Sequence, residues 1–171
     1  MIGHFDRSPI LGCAARRGMP LPSLAFWSQT LGIVQAMKTQ SILTLEDVRR
    51  MATAAEAEAT RNSWAVTLAV VDSGGHLLWL QRLDGAAPIS AEIAPAKART
   101  AALGRRESKM YEDMINQGRV SFLSAPALHG MLEGGVPIMV DGQCLGAVGV
   151  SGVKSTEDAQ IARAGIAALQ P

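Results

Sequence analysis

The chain has 171 residues, a formal net charge of +1 at pH 7, and 48% apolar but only 4% aromatic residues. This length suits one domain with a full hydrophobic core built largely from small aliphatic side chains. Its Lys and Arg residues are scattered, which excludes the clustered basic surface that nucleic-acid binding requires. Cys13 and Cys144 lie far apart and outside any CxxC or zinc-like spacing, so we expect two unpaired thiols in a reducing compartment.

Residues 1–40 differ from the rest of the chain. Arg16 and Arg17 precede the apolar patch "LAFWSQTLGIV", which is too short and too polar to span a membrane. Polar residues also interrupt the pattern of a signal peptide. We therefore expect an N-terminal extension over residues 1–40, partly disordered or docked on a partner, before a compact domain over residues 41–171. A cytoplasmic location is the first expectation, and secretion is the weaker alternative.

The first predicted helix starts at Thr44, where Asp47 three residues later approximates a capping box. Apolar residues at helical spacing continue this helix to about Asn62. Residues 65–82 then predict a β-hairpin around a turn at residues 72–75, because two glycines there supply positive φ without steric cost. The first strand of this hairpin is apolar on both faces, so we expect it in the centre of a sheet.

An alanine-rich segment follows, and Ser90 predicts a cap for a second helix that ends at Gly104. Pro95 lies within the segment and predicts either a later start of this helix or a kink. A third, more polar helix is predicted from about residue 107 to residue 116. Residues 118–130 have the composition of a loop.

The glycine-rich stretch "GGVPIMVDGQCLGAVGVSG" covers residues 134–152 and predicts two or three strands. Asp141 and Gly142 are a typical hairpin turn. Gly146 and Gly149 lie inside a predicted strand, where glycine marks the close approach of a helix or a ligand to the sheet.

Ser155 and Asp158 predict a capping box for the last helix. The predicted order is therefore helix, hairpin, two helices, hairpin or meander, and helix. Hairpins imply an antiparallel sheet, and helices before, between and after them can cover both of its faces. The fold class is therefore an α+β sandwich rather than a succession of βαβ units.

Four segments in this order resemble the family typified by GlcG and HbpS: "AVVDSGGHLLWLQRLDGA", "AEIAPAKARTA", "GGVPIMVDGQCLGAVGVSG" and "EDAQIARAGIAAL". Members of this family are associated with haem binding or haem degradation, and the family also forms the C-terminal module of PduO-type proteins. The resemblance covers about residues 44–169. It implies a profilin-like or PAS-like sandwich with about five antiparallel strands flanked by helices on both faces. It also implies homo-oligomers, from dimers to octamers.

The resemblance further implies haem or a related tetrapyrrole as ligand, which needs an axial His, Met, Cys or Tyr in an apolar pocket. His129 lies in a loop before the glycine-rich stretch, and a loop at a pocket mouth suits a ligating residue. His76 follows the hairpin turn directly, so we expect it to be exposed and the weaker iron ligand. Further ligand candidates are Met131, Cys144 and Tyr111. The first helix has no histidine, so a binding mode that uses one there does not apply.

Arg82, Asp84 and Lys97 form a second constellation. Lys97 stands alone among alanines, and one interpretation is a structural ion pair with Asp84 or Asp72. The other is that Arg82 and Lys97 bind a carboxylate, either a haem propionate or a small organic acid, since the planar guanidinium of arginine matches carboxylate geometry.

Glu133 stands just before Gly134 and Gly135, and we expect these three residues at the ligand-binding end of the sheet. Glu133 and Lys97 are the candidates for acid or base catalysis. The chain contains no HExxH, GxSxG or Walker motif, so whether it is an enzyme stays open.

Three functions therefore compete. The first is a small-ligand-binding protein, for haem or a related tetrapyrrole. The second is an accessory protein or enzyme of small organic-acid catabolism, with a carboxylate-binding site at a subunit interface. The third is an oligomeric scaffold.

Overall fold

The computed structural model describes residues 39–169. The predicted extension therefore lies almost wholly outside the described residues, and its disorder or docking stays a prediction. The helices of the described part are α1 (Leu45–Arg61), α2 (Ser90–Gly104), α3 (Lys109–Asn116), a 3-10 helix (Val120–Ser124) and α4 (Ser155–Ala167). Its strands are β1 (Thr67–Asp72), β2 (Leu77–Arg82), β3 (Gly135–Val140) and β4 (Gln143–Ser151).

The four strands form one antiparallel sheet in the order β2-β1-β4-β3. The predicted α+β class is therefore confirmed, as is the central position of β1. The sheet of the described residues has four strands, one fewer than the number of about five that the resemblance implied. The glycine-rich stretch contributes two of them, joined through the predicted turn at Asp141 and Gly142.

Alternate residues of β1 face two different cores. Leu68 and Val70 pack into a large apolar cluster with side chains of α1 and α4. Ala69 and Val71 belong to a second cluster made almost entirely of alanines, most of them from α2. Helices therefore cover both faces of the sheet, as expected, and β1 is buried on both sides because it lies between them.

The predicted capping box of α1 is confirmed. Thr44 Oγ1 accepts a hydrogen bond from the Asp47 amide at 3.2 Å, and Asp47 Oδ2 accepts one from the Thr44 amide at 2.9 Å. The side-chain hydrogen bond from Thr44, helped by its backbone amide, holds the pKa of Asp47 below its usual range. Two of the helix's unsatisfied terminal donors are thereby paired reciprocally.

The start of α2 differs from the prediction. Ser90 is its first helical residue and makes no cap, because its hydroxyl donates to the Ala87 carbonyl oxygen at 2.6 Å and lies 2.6 Å from the Thr67 hydroxyl. Pro95 lies inside α2, so the helix begins before the proline rather than at it. The predicted loop after α3 contains the 3-10 helix, a short element that the loop-like composition concealed.

The predicted cap of α4 is also wrong. Lys154 holds the cap position, and its amide donates to Glu157 Oε2 at 3.1 Å. Asp158 is buried one residue further along and bonds to another part of the fold. The capping-box spacing selected Asp158 instead of Glu157 because both carboxylates lie in the first turn of the helix.

The predicted close approach at Gly149 is confirmed. A Cβ atom added to Gly149 would come within 3.0 Å of the Ala94 carbonyl oxygen and the Ala98 amide nitrogen of α2. Added Cβ atoms at Gly130 and Gly135 would meet the α2 backbone in the same way. Glycine therefore lets the α2 main chain lie directly on the main chain of the sheet and of the loop before it.

We expect Gly149→Ala to destabilise the fold by about 1–3 kcal/mol, because the added methyl group must push α2 away from β4. Urea denaturation measures the loss. The control is Gly142→Asn in the β3–β4 turn, where φ is +75° and an added Cβ meets nothing within 4 Å. Asn tolerates positive φ better than most residues with a side chain, so the control should lose less stability than Gly149→Ala. Equal midpoints for Gly149→Ala and wild type would contradict the direct backbone contact.

Candidate functional site

A pocket of about 330 Å³ lies between α3, the 3-10 helix and the loop before β3. Its lining combines four apolar side chains with a carboxylate, an amide and an imidazole: Glu112, Ile115, Asn116, Leu123, His129, Met131 and Leu132. An apolar body with a few polar groups is the usual composition of a small-ligand site. We refer to this feature as the His129 pocket.

Ser108 fixes one wall of the His129 pocket. Its amide donates to the Gly135 carbonyl oxygen at 3.0 Å, and its hydroxyl accepts from the Gly135 amide at 2.8 Å. The same hydroxyl donates to the Leu132 carbonyl oxygen. Ser108 therefore binds both Leu132, at the end of the loop, and Gly135, at the start of β3. These hydrogen bonds fix the position of Leu132 in the pocket lining.

The loop before β3 is also fixed on α2, through Gly130. The Gly130 amide donates to Thr100 Oγ1 at 3.2 Å, and Gly130 itself lies against the Ala96 backbone. His129 directly precedes this anchored glycine and is exposed, whereas Met131 directly follows it and is buried. The loop thus brings an accessible imidazole and a buried thioether to the same pocket.

Aromatic contacts hold the 3-10 helix on α3. The rings of Tyr111 and Phe122 meet edge to face, with centroids 5.4 Å apart. The guanidinium groups of Arg106 and Arg119 lie over these rings, 5.6 Å from the Tyr111 centroid and 4.7 Å from the Phe122 centroid. The apolar wall of the His129 pocket is therefore attached to the rest of the domain through Tyr111.

Glu133 contributes its backbone more than its carboxylate to this region. Its amide donates to Glu112 Oε2 at 2.6 Å, while its carboxylate lies 3.7 Å from Lys109 Nζ. The hydrogen bond with Asp113 and the charge of Glu133 raise the pKa of Lys109, so the lysine stays protonated. Glu133 is nearly buried and already paired, and its predicted role as acid or base stays a prediction.

Lys97 is buried, and its ammonium group donates to Asp158 Oδ2 at 2.7 Å and to the Val150 carbonyl oxygen at 3.0 Å. Asp158 Oδ1 accepts from the Val153 amide at 3.2 Å. Burial raises the pKa of Asp158, and the hydrogen bond and charge of Lys97 oppose that rise. The interpretation of Lys97 as half of an ion pair is confirmed, but the expected partners Asp84 and Asp72 were wrong.

Gly134 makes room for this ion pair. Its φ is +121°, and an added Cβ would lie 2.8 Å from Lys97 Nζ. Gly134 and Gly135 are therefore buried against Lys97 and the start of α3, rather than open to solvent. In this structure neither of the predicted binding glycines lines the His129 pocket.

The remaining predicted residues lie elsewhere. Arg82 is exposed at the end of β2, so it does not share an open site with the buried Lys97. Asp84 lies in a shallow depression of about 280 Å³ beside Trp64. His76 is exposed at the hairpin turn, with Nδ1 3.2 Å from Asp72 Oδ2, as its position in the sequence predicts.

Five residues of the pocket lining were not predicted: Glu112, Ile115, Asn116, Leu123 and Leu132. The sequence does contain a signal for an apolar pocket wall in the segment predicted as a loop. It is the apolar pairs Phe122 with Leu123 and Leu128 with Met131. Asp158 was assigned to a cap and so was missed as the partner of Lys97. Among residues 39–169, no group of three His, Cys, Asp or Glu side chains is placed to hold a bare metal ion. No helix in that range is both long and apolar enough to cross a membrane.

Comparison with known proteins matches residues 43–167 to a family described as "Haem degrading protein HbpS-like". Protein GlcG of Escherichia coli K12 is 56% identical over 115 residues, which cover 67% of this chain and 85% of GlcG.

Two solved structures are similar to the described fold. One is a double mutant of Streptomyces reticuli HbpS, with a TM-score of 0.73 and 32% identity over 79% of this chain and 92% of that chain. The other is a complex of PduOC with haem, with a TM-score of 0.69 and 27% identity over 76% of this chain and 96% of that chain.

We expect Lys97→Met to destabilise the protein by about 3–5 kcal/mol, because it leaves the Asp158 carboxylate buried without its cation. Thermal or urea unfolding measures the loss. The matched control is the double variant Lys97→Met with Asp158→Leu, which removes both charges and should recover most of the stability. A single variant as stable as wild type would show that the pair is not needed to hold α2, β4 and α4 together.

Proposed function

The chain belongs to the HbpS-like family, and from this premise we propose that it binds haem or a related tetrapyrrole in the His129 pocket. The observation that carries the proposal is an apolar-walled cavity whose lining includes one accessible imidazole. A similar protein forms a complex with haem, which supports the ligand class for this chain.

The donors of the pocket match those that hold haem iron. Imidazole and thioether groups are both axial ligands of haem in proteins, and His129 and Met131 supply one of each. Ile115, Leu123 and Leu132 provide the apolar surface that contacts a porphyrin ring. His129 is the iron ligand in this proposal because it is exposed, whereas Met131 is only 8% exposed and forms part of the wall.

The size of the pocket sets how the ligand would lie. A volume of about 330 Å³ stands near the lower end of the range of about 300–1,000 Å³ for small-molecule sites. A pocket of this size would enclose only part of a macrocycle. Arg119, whose guanidinium lies over Phe122 beside this wall, is the cation that we assign to a propionate on the part that stays outside.

The alternatives are less supported. His76 lines neither of the two pockets described above and is bound to Asp72, so it is the weaker iron ligand. A carboxylate site that combines Arg82 with Lys97 would require the buried ammonium to leave Asp158. Acid or base catalysis by Glu133, a role in organic-acid catabolism and a scaffold function stay predictions.

We expect one equivalent of haemin to give a defined Soret band with the full-length protein, and His129→Ala to shift that band because the iron loses its imidazole. The matched control is His76→Ala, which removes the exposed histidine of the β1–β2 turn. Its spectrum should equal that of wild type. A featureless spectrum with wild type, or a shift with His76→Ala alone, would reject His129 as the ligand.

A second variant tests the pocket separately from the ligating residue. Leu132→Arg places a charge in the apolar wall at a position that is already half exposed, so the fold should tolerate it. We expect haemin affinity to fall about tenfold or more, equivalent to about 1.4 kcal/mol, in a titration followed by absorbance. Unchanged affinity would place the ligand outside the His129 pocket.

A further inference from the structure

A depression of about 280 Å³ at the end of α1 shares no lining residue with the His129 pocket, so a ligand bound there is independent of the haem proposal. The lining combines an indole, a carboxylate, two hydroxyl groups and two aliphatic side chains: Thr60, Ser63, Trp64, Ala65, Leu83 and Asp84. An aromatic ring and a carboxylate in one concave surface both attract cations. We refer to this feature as the Trp64 depression.

The end of α1 holds Trp64 in place. Ser63 has a φ of 57°, and its amide donates to the Thr60 carbonyl oxygen at 3.0 Å. The Trp64 amide donates to the Ala59 carbonyl oxygen at 2.9 Å, which completes a Schellman motif. The indole is half-buried and packs against the large apolar cluster, and it also lines the depression.

A turn after β2 brings Asp84 to the same depression. The Leu83 amide donates to the Val66 carbonyl oxygen at 2.9 Å, and the Ala86 amide donates to the Leu83 carbonyl oxygen at 3.1 Å. Gly85 has a φ of +84°, which is typical of the third residue of a type II turn. Asp84 is therefore exposed on a fixed backbone. Its carboxylate forms no ion pair within the part of the chain that the structure describes.

The surrounding charges also favour a cation in the Trp64 depression. The last carbonyl groups of a helix carry a partial negative charge, and α1 ends at this depression. Arg61 in the last turn is already paired with Glu58 at 3.0 Å. Arg82 is opposite Thr67 in the register, and the Thr67 hydroxyl contacts Ser90 of α2, so Arg82 lies on the α2 face of the sheet. Neither arginine lines the depression.

We propose that the Trp64 depression binds the ammonium group of a small primary amine. The Asp84 carboxylate pairs with the ammonium charge, and the Trp64 indole attracts the same charge through a cation–π interaction. The hydroxyl oxygens of Thr60 and Ser63 are acceptors for an ammonium group, which has three N–H donors. A quaternary ammonium has no such donor, so a primary amine uses more of this lining.

The volume of the depression limits the size of the amine. A volume of about 280 Å³ lies below the range of about 300–1,000 Å³ for small-molecule sites, so the ligand has only a few heavy atoms. Ala65 and Leu83 supply apolar contact for a short alkyl chain. The probe that fits both the charged and the apolar part of the lining is n-butylammonium.

The test is a titration of the ¹⁵N-labelled full-length protein with n-butylammonium chloride at pH 7, followed by NMR spectra of the tryptophan indole N–H groups. Trp64→Phe identifies the Trp64 signal by its loss. We expect this signal to shift to saturation with n-butylammonium and to stay in place with 1-butanol, which has a similar shape without the charge. Tetramethylammonium, which has no N–H donor, should bind more weakly than n-butylammonium.

One substitution at two aspartates tests the carboxylate. Asp84→Asn removes a charge at an exposed position, and we expect the dissociation constant for n-butylammonium to rise about fivefold or more. The control is Asp141→Asn, at an exposed aspartate of the β3–β4 turn, which should keep the wild-type affinity. No saturable shift of the Trp64 signal, equal affinity for 1-butanol, or wild-type affinity in Asp84→Asn would overturn the proposal. Tighter binding of N-acetyl-lysine methylamide than of n-butylammonium would overturn the assignment to a free amine, in favour of a lysine side chain.

Discussion

The direct contact between the backbone of α2 and the sheet is the constraint on which the rest of this structure depends. Gly149 and Gly135 provide it in the strands, and Gly130 extends it into the loop before β3. The cluster between α2 and the sheet consists of alanines and one valine, because nothing larger fits between backbones at this distance. The alanine-rich sequence of α2 is thus a consequence of this geometric requirement.

This contact also places the chemically active groups. With α2 against β4, the Lys97 ammonium reaches the Val150 carbonyl oxygen and the Asp158 carboxylate, and Gly134 closes around it. One helical turn further, Thr100 holds Gly130, which fixes the loop that carries His129. The buried ion pair is therefore structural, and neither Lys97 nor Asp158 lines the His129 pocket.

The two edges of the sheet, β2 and β3, differ in sequence and surroundings. The loop that leads into β3 carries the His129 pocket, while β2 carries the exposed leucines and Arg82. Pro137 in β3 and its absence from β2 give the two edges different capacities for pairing.

The sequence by itself determined the elements that rest on local chemistry. Thr44 and Asp47 specified the start of α1, and the glycines at residues 72–75 specified a hairpin. Gly149, inside a strand, indicated that a helix packs closely against the sheet at that position. Only the tertiary structure decided which charges meet. The partner of Lys97 is 61 residues away, and the lining of the pocket comes from α3, the 3-10 helix and the loop before β3. Spacing rules describe neighbours along one helix or strand, whereas ion pairs and pockets depend on how elements pack across long loops.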